Sequence, residues 1–169
     1  IRIGRTEGVD FLLPIGGGSV IDTAKGIGYG IANDFEMEDL LYGRVKTDKN
    51  LPIGVVLTIA AAGSEMSSSM VLTIEDGMMK RSYGHDCSRP KFAIMNPELT
   101  MTLPDYQTAC GCTDILMHTM ERYFTLGDSL EITDSIAEGL LRTVMAQAVI
   151  LRDDPKNYDA RAEVMWAGS

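Results

Sequence analysis

The sequence predicts an α/β fold that gives way, past Leu103-Pro104, to an all-helical segment. Three observations carry this. Short apolar runs at Val9 to Ile15, Ile53 to Leu57 and Lys91 to Met95 read as strands. A helical stretch opens at once after the first of them, at Gly16-Gly17-Gly18-Ser19. From Asp105 to Trp166 the strand-like runs vanish, and Leu140, Leu141, Val144, Met145, Ala148 and Val149 recur at the three- and four-residue spacing of an amphipathic helix.

Taken in order, Val9 to Ile15 is a buried strand running into a glycine turn. Ser19 with Asp22 three residues on forms a Ser-x-x-Asp capping arrangement for a helix reaching about Tyr29. Asn33 to Asn50 is polar and charged, a surface helix and loop. Ile53 to Leu57 is a second strand ending at Thr58, and Ala60 to Ser69 is a loop or a first helical turn. Val71 to Ile74 and Met78 to Tyr83 flank Glu75-Asp76-Gly77, a hairpin signal. Lys91 to Met95 closes at Asn96-Pro97, which cannot continue a ladder. The domain boundary falls near Leu103-Pro104, giving an α/β part at 1–103 and a helical part at 104–169.

Composition narrows the function classes. The 169 residues are 45% hydrophobic and 23% charged, enough apolar material for a packed core. The formal charge of -9 argues against a nucleic-acid partner, which needs a basic patch to displace counterions. Every apolar run is interrupted by Gly, Ser or charge before reaching spanning length, so no membrane partner is expected. Cys87, Cys110 and Cys112 make a poor disulfide framework; they read as buried or half-buried thiols in a reducing cytosol, and the expected location is cytoplasmic.

Three places have the residue types for chemistry. The Gly16-Gly17-Gly18-Ser19 junction offers close backbone approach and the positive end of a helix dipole, fitting a diphosphate; a plain strand-to-helix turn with Ser19 as N-cap fits equally. Asp114 and His118, four apart on one helix face with Glu121 a turn beyond, can share a divalent cation, although two ligands do not close a metal site and a surface ion pair needs nothing more. Thr58 to Glu65, where Thr58, Gly63 and Ser64 follow a strand, lies where open α/β sheets bind ligands; an ordinary polar loop is the alternative. His85 reads as solvated.

Together and in order, these segments resemble the iron-containing (group III) alcohol dehydrogenase family. Gly16 to Lys25 is similar to its GGGS-x-x-D-x-x-K block, and Thr58 to Glu65 to its Thr-rich loop ending in Gly-Ser-Glu. Ile94 to Thr100 with Leu103-Pro104 resembles the segment before the helical domain, and Asp114 to Glu121 the D-x-x-x-H-x-x-E metal helix. Lys80 and Asn157-Tyr158-Asp159-Ala160-Arg161 resemble the butanol-dehydrogenase branch.

The resemblance implies a Rossmann-like nucleotide domain and a helical domain holding iron or zinc. It implies hydride transfer between NAD(P)H and a short aldehyde or alcohol such as butanal or butanol. Gly17, Gly18 and Ser19 would hold the diphosphate, with Asp22 near the nicotinamide. Thr58 and Ser64 would touch the cofactor, Lys80 would bond the nicotinamide ribose, and Leu103 would line the adenine pocket. Asp114 and His118 would be the first two metal ligands. A homodimer is the assembly the family implies.

The loop here reads Thr58-Ile59-Ala60-Ala61-Ala62, without the further hydroxyls common in that family, and only His85 and His118 are present where the family uses three histidines. The expectation is therefore a fragment lacking both ends, inactive alone. A glycerol-dehydrogenase-like or dehydroquinate-synthase-like enzyme of the same superfamily, or a non-catalytic truncated nucleotide-binding module, are the alternatives.

Overall fold

The structure is a computed structural model that describes residues 1–127 and 130–169. It divides into two compact units, Ile1–Leu57 with Ser64–Ile94, and Thr58–Gly63 with Met95–Ser169. Residues 95–103, which the sequence reading groups with the α/β part, pack with the helices.

The first unit begins with a short helix, α1 (Arg2–Thr6), and a two-residue strand, β1 (Ile15–Gly16). Most of the Val9 to Ile15 run is not strand: only Leu12 makes an isolated bridge, to Ile53, before β1 begins. Helix α2 (Gly18–Ala32) follows, then α3 (Met37–Leu41). Strands β2 (Gly54–Leu57), β3 (Ser69–Ile74), β4 (Met79–Gly84) and β5 (Phe92–Ile94) complete the unit. A parallel sheet runs β1-β2-β5, with Ile15 beside Val56 and Val56 beside Ile94. The hairpin β3-β4 is separate and antiparallel, turning through Asp76–Met78 where the Glu75-Asp76-Gly77 signal placed it.

Burial follows the pleat. Ile53, Val55 and Leu57 alternate inward on and beside β2, while Ile15, Phe92 and Ile94 remain exposed on the other face. A second apolar cluster joins Tyr29 of α2, Leu40 and Leu41 of α3, and Met70 and Ile74 of the hairpin. This explains why the polar stretch after Asn33 folds: Leu40 and Leu41 are drawn inward, with Phe35, Met37, Tyr42 and Val45 packed against them.

The second unit is helical: α4 (Asp105–Tyr123), α5 (Glu131–Asp153) and α6 (Tyr158–Ala167). The α5 stripe buries Val144 fully, whereas Met145 and Val149 line a groove of about 590 Å³ with Tyr106, Cys112 and Leu116 of α4. Gly111 lets α4 lie directly on the Thr58–Gly63 segment, since a Cβ there would run into the Ala60 carbonyl oxygen. Among the described residues no helix is long and apolar enough to cross a membrane.

Candidate functional site

In the first unit, the candidate site is the start of α2. Gly17 is the N-cap residue with extended backbone, and among the described residues no side chain caps the helix. The Ser19 capping expectation is thus overturned: Ser19 lies inside the first turn with its side chain exposed, leaving the leading N–H groups uncapped by any side chain. A Cβ at Gly18 would stand 3.3 Å from the Ser64 hydroxyl, so the glycine leaves a narrow gap between helix start and Ser64. Gly17, Gly18 and Ser64 are thereby brought together.

Asp22 lies one turn deeper and is buried. Its Oδ2 accepts from the Val71 amide at 2.9 Å, while Oδ1 has no hydrogen-bond donor among the described residues and sits 3.9 Å from Lys25 Nζ. Lys25 is fully buried and donates to three backbone carbonyls, of Ser64, Ser67 and Ser69, at 2.7–2.8 Å. Burial pulls its pKa down to about 8, against the opposing pull of Asp22 and Glu65. It therefore carries its charge at neutral pH. Sequence reasoning placed Lys25 in a motif but assigned it no part. Lys80 lies exposed on β4, paired with Thr73 of β3.

The remaining candidates belong to the second unit. Thr58 is half-buried. Leu103 lines a small internal cavity with Ile59, Ala60, Thr100, Thr108 and Arg161. Asp114 and His118 share a face of α4, with His118 Nε2 3.7 Å from Asp114 Oδ1 and Nδ1 3.8 Å from Glu121 Oε2. Both side chains of the Asp114–His118 pair are 42% exposed. Carboxylate and imidazole suit a divalent cation, but among the described residues no group of three or more His, Cys, Asp or Glu gathers to hold one. His85 is exposed, and its Nδ1 accepts from the Cys87 amide.

The Asn157 to Arg161 motif has a structural explanation. Asn157 caps α6 by accepting from the Ala160 amide, and buried Arg161 donates to Pro155 O and Thr108 Oγ1, both at 2.9 Å. Of the thiols, Cys112 is buried, Cys87 half-buried and Cys110 exposed; none is bridged, and Cys110 departs from the buried reading.

A glycine-opened helix start beside a parallel sheet, and a separate helical unit with an Asp/His pair, define an α/β protein with a helical companion. Residues 1–97 match the iron-containing alcohol dehydrogenase family, and residues 108–169 match the C-terminal part of the Fe-containing alcohol dehydrogenase family. The chain belongs to the iron-containing alcohol dehydrogenase family.

It is 41% identical over 169 residues to NADH-dependent butanol dehydrogenase A of Clostridium acetobutylicum, covering all of this chain and 43% of that protein. It is 37% identical over 173 residues to an NADPH-dependent aldehyde reductase of Escherichia coli, covering all of this chain and 44% of that one. The crystal structure of NADH-dependent butanol dehydrogenase A from Thermotoga maritima superposes with a TM-score of 0.96 at 38% identity, over 99% of this chain and 42% of that chain. The chain thus spans less than half the length of these relatives.

Proposed function

We propose that this chain is part of an oxidoreductase that moves hydride between NAD(P)H and a short-chain aldehyde or alcohol, of which butanal and butanol are the test pair. The observation that carries the reading is the gap between Gly18 and Ser64 at the uncapped start of α2. Backbone N–H groups there bind a diphosphate, and the dipole of α2 favours its charge.

In this reading Gly17, Gly18 and Ser19 hold the diphosphate, and the Ser64 hydroxyl donates to it. The buried, donor-free Asp22 Oδ1 offers an acceptor to the nicotinamide end. Lys80 binds the nicotinamide ribose, while Thr58 and Leu103 contact the rest of the cofactor. Asp114 and His118 supply two ligands to a divalent iron or zinc. When bound, the nicotinamide carries the hydride and the cation polarises the carbonyl. Two ligands do not complete a metal site, so no step is assigned to the metal in this chain.

The nucleotide-binding part is taken as 1–103 and the metal-binding part as 104–169. The preference of relatives for NADH in one case and NADPH in another supports a nicotinamide cofactor of either kind. The three unbridged thiols support a cytoplasmic protein, and the exposed apolar rows on the sheet support a homodimer. Titration of the chain with NADH and NADPH, followed by cofactor fluorescence, tests the reading. Saturable binding that Gly18→Ala weakens is expected, and no binding of either overturns it.

A further inference from the structure

We propose that Lys25 is a positioning residue for the dinucleotide site, holding Ser64 and the root of the β3-β4 hairpin against the start of α2. The proposal rests on the cofactor reading given above. An ammonium has three hydrogens, and Lys25 has three carbonyl acceptors, those of Ser64, Ser67 and Ser69. All lie 39 or more residues further along the chain. One head group therefore ties α2 to both ends of the Ser64–Ser69 segment.

The rest of that segment is held by residues 85–89. The Ser68 carbonyl accepts from Ser88 Oγ at 2.8 Å and from the His85 amide at 3.1 Å, and the Met66 carbonyl accepts from Arg89. Asp22, one turn before Lys25, accepts from Val71 where β3 is under way. Lys25 acts at the point where this web meets the cofactor contacts. Ser64 is set against Gly18, and Ser69 starts the strand whose partner β4 carries Lys80. Its own side chain is fully buried and makes no contact with the cofactor in this arrangement, so it acts through the residues it holds.

The test compares the wild-type 169-residue chain with Lys25→Met and Lys25→Arg by two readouts. Amide exchange is followed on peptides covering 63–72 and 79–84, with α5 peptides as the internal control. Affinity for NADH is followed by fluorescence. In Lys25→Met, exchange of 63–72 is expected to rise about tenfold or more, α5 exchange to stay unchanged, and NADH binding to weaken about tenfold or more.

A role confined to stability would change exchange and leave NADH affinity alone, so unchanged affinity beside a wild type that binds overturns the proposal while sparing the cofactor reading. A wild type that does not bind NADH overturns the cofactor reading, and the positioning role with it. If methionine unfolds the first unit, as fully exchanged β2 peptides would reveal, arginine decides. It keeps the charge but not the compact three-donor head. Weakened NADH affinity with β2 protected supports the proposal, and wild-type affinity overturns it.

Discussion

The ammonium of Lys25 lies 2.8 Å from the carbonyl oxygen of Ser64, thirty-nine residues away in sequence and buried from solvent. Ser64 in turn faces Gly18, two residues into the glycine turn at which the same helix begins. A helix start and a distant loop are thus fixed to each other by the helix's own side chain.

Gly18→Ala separates binding from stability. Alanine is favoured over glycine in a helix, so thermal stability should hold or rise slightly. The new Cβ narrows the gap to Ser64, and NADH affinity should fall about tenfold. Fluorescence titration beside a melting curve checks both halves, and unchanged affinity would count against the gap as a diphosphate seat.

The buried Lys25 has a pH signature. Its folded pKa of about 8 is below the ordinary 10.5, because desolvation outweighs the help of Asp22 and Glu65, while Arg89 pushes the same way as burial. Between these values the unfolded chain holds a proton that the folded chain has released, so stability gains with rising pH across pH 8 to 10.5 and is independent of this group below. Buried Tyr29 and Cys112 and half-buried Cys87 have raised values and act oppositely toward high pH. The difference in urea midpoint between wild type and Lys25→Met removes them; it should move in favour of wild type as pH climbs from 8 to 10.5.

Helix α4 rests on Ala60 through Gly111. Gly111→Ala drives a Cβ into a backbone carbonyl that cannot rotate away. A loss of about 1–3 kcal/mol is expected from urea unfolding, typical of overpacking in a close contact. Gly139, with open space around its Cβ position on α5, is the control; alanine there should be neutral or stabilising.

Two ligands should not sustain catalysis. With Fe²⁺ or Zn²⁺, NADH and butanal supplied, the 169-residue chain is expected to show no saturable NADH oxidation, and His118→Ala should leave that blank unchanged. Saturable turnover would mean the Asp114–His118 pair suffices.

Alkylation should rank the thiols. Cys110 is exposed on α4, whereas burial pushes the thiols of Cys87 and Cys112 up, leaving less thiolate near neutral pH. Iodoacetamide at pH 7.5 followed by peptide mass analysis should find Cys110 modified first and Cys112 last.

Much of the fold was legible because its signals are local. The Ile53 to Leu57 run, the Glu75-Asp76-Gly77 turn and the α5 stripe each declare themselves within a few residues, and β2, the hairpin and α5 appear where expected. The Val9 to Ile15 run misled because an apolar segment need not be laddered throughout: Leu12 and Ile15 pair with the Ile53–Leu57 run, and the residues before Leu12 do not. Ser19 misled because glycine at 17 starts the helix before the hydroxyl is reached. Lys25 could not be read at all in this sense. Its partners are backbone carbonyls, which every residue carries, so no side-chain pattern announces them.

The path of the chain through its two units has a consequence for dissection. The backbone passes from one to the other at 57–58, returns at 63–64 and leaves again at 94–95. Neither unit is a contiguous stretch, so no single scission separates one from every residue of the other. A cut at Leu103-Pro104 would leave residues 58–63 and 95–103 with the wrong partner, stripping α4 of the segment that Gly111 lies against. Expressed separately, 1–103 should keep its own unit whole while carrying two segments without their helices, and 104–169 should be stranded without part of its own interior and be the piece that gains order on mixing.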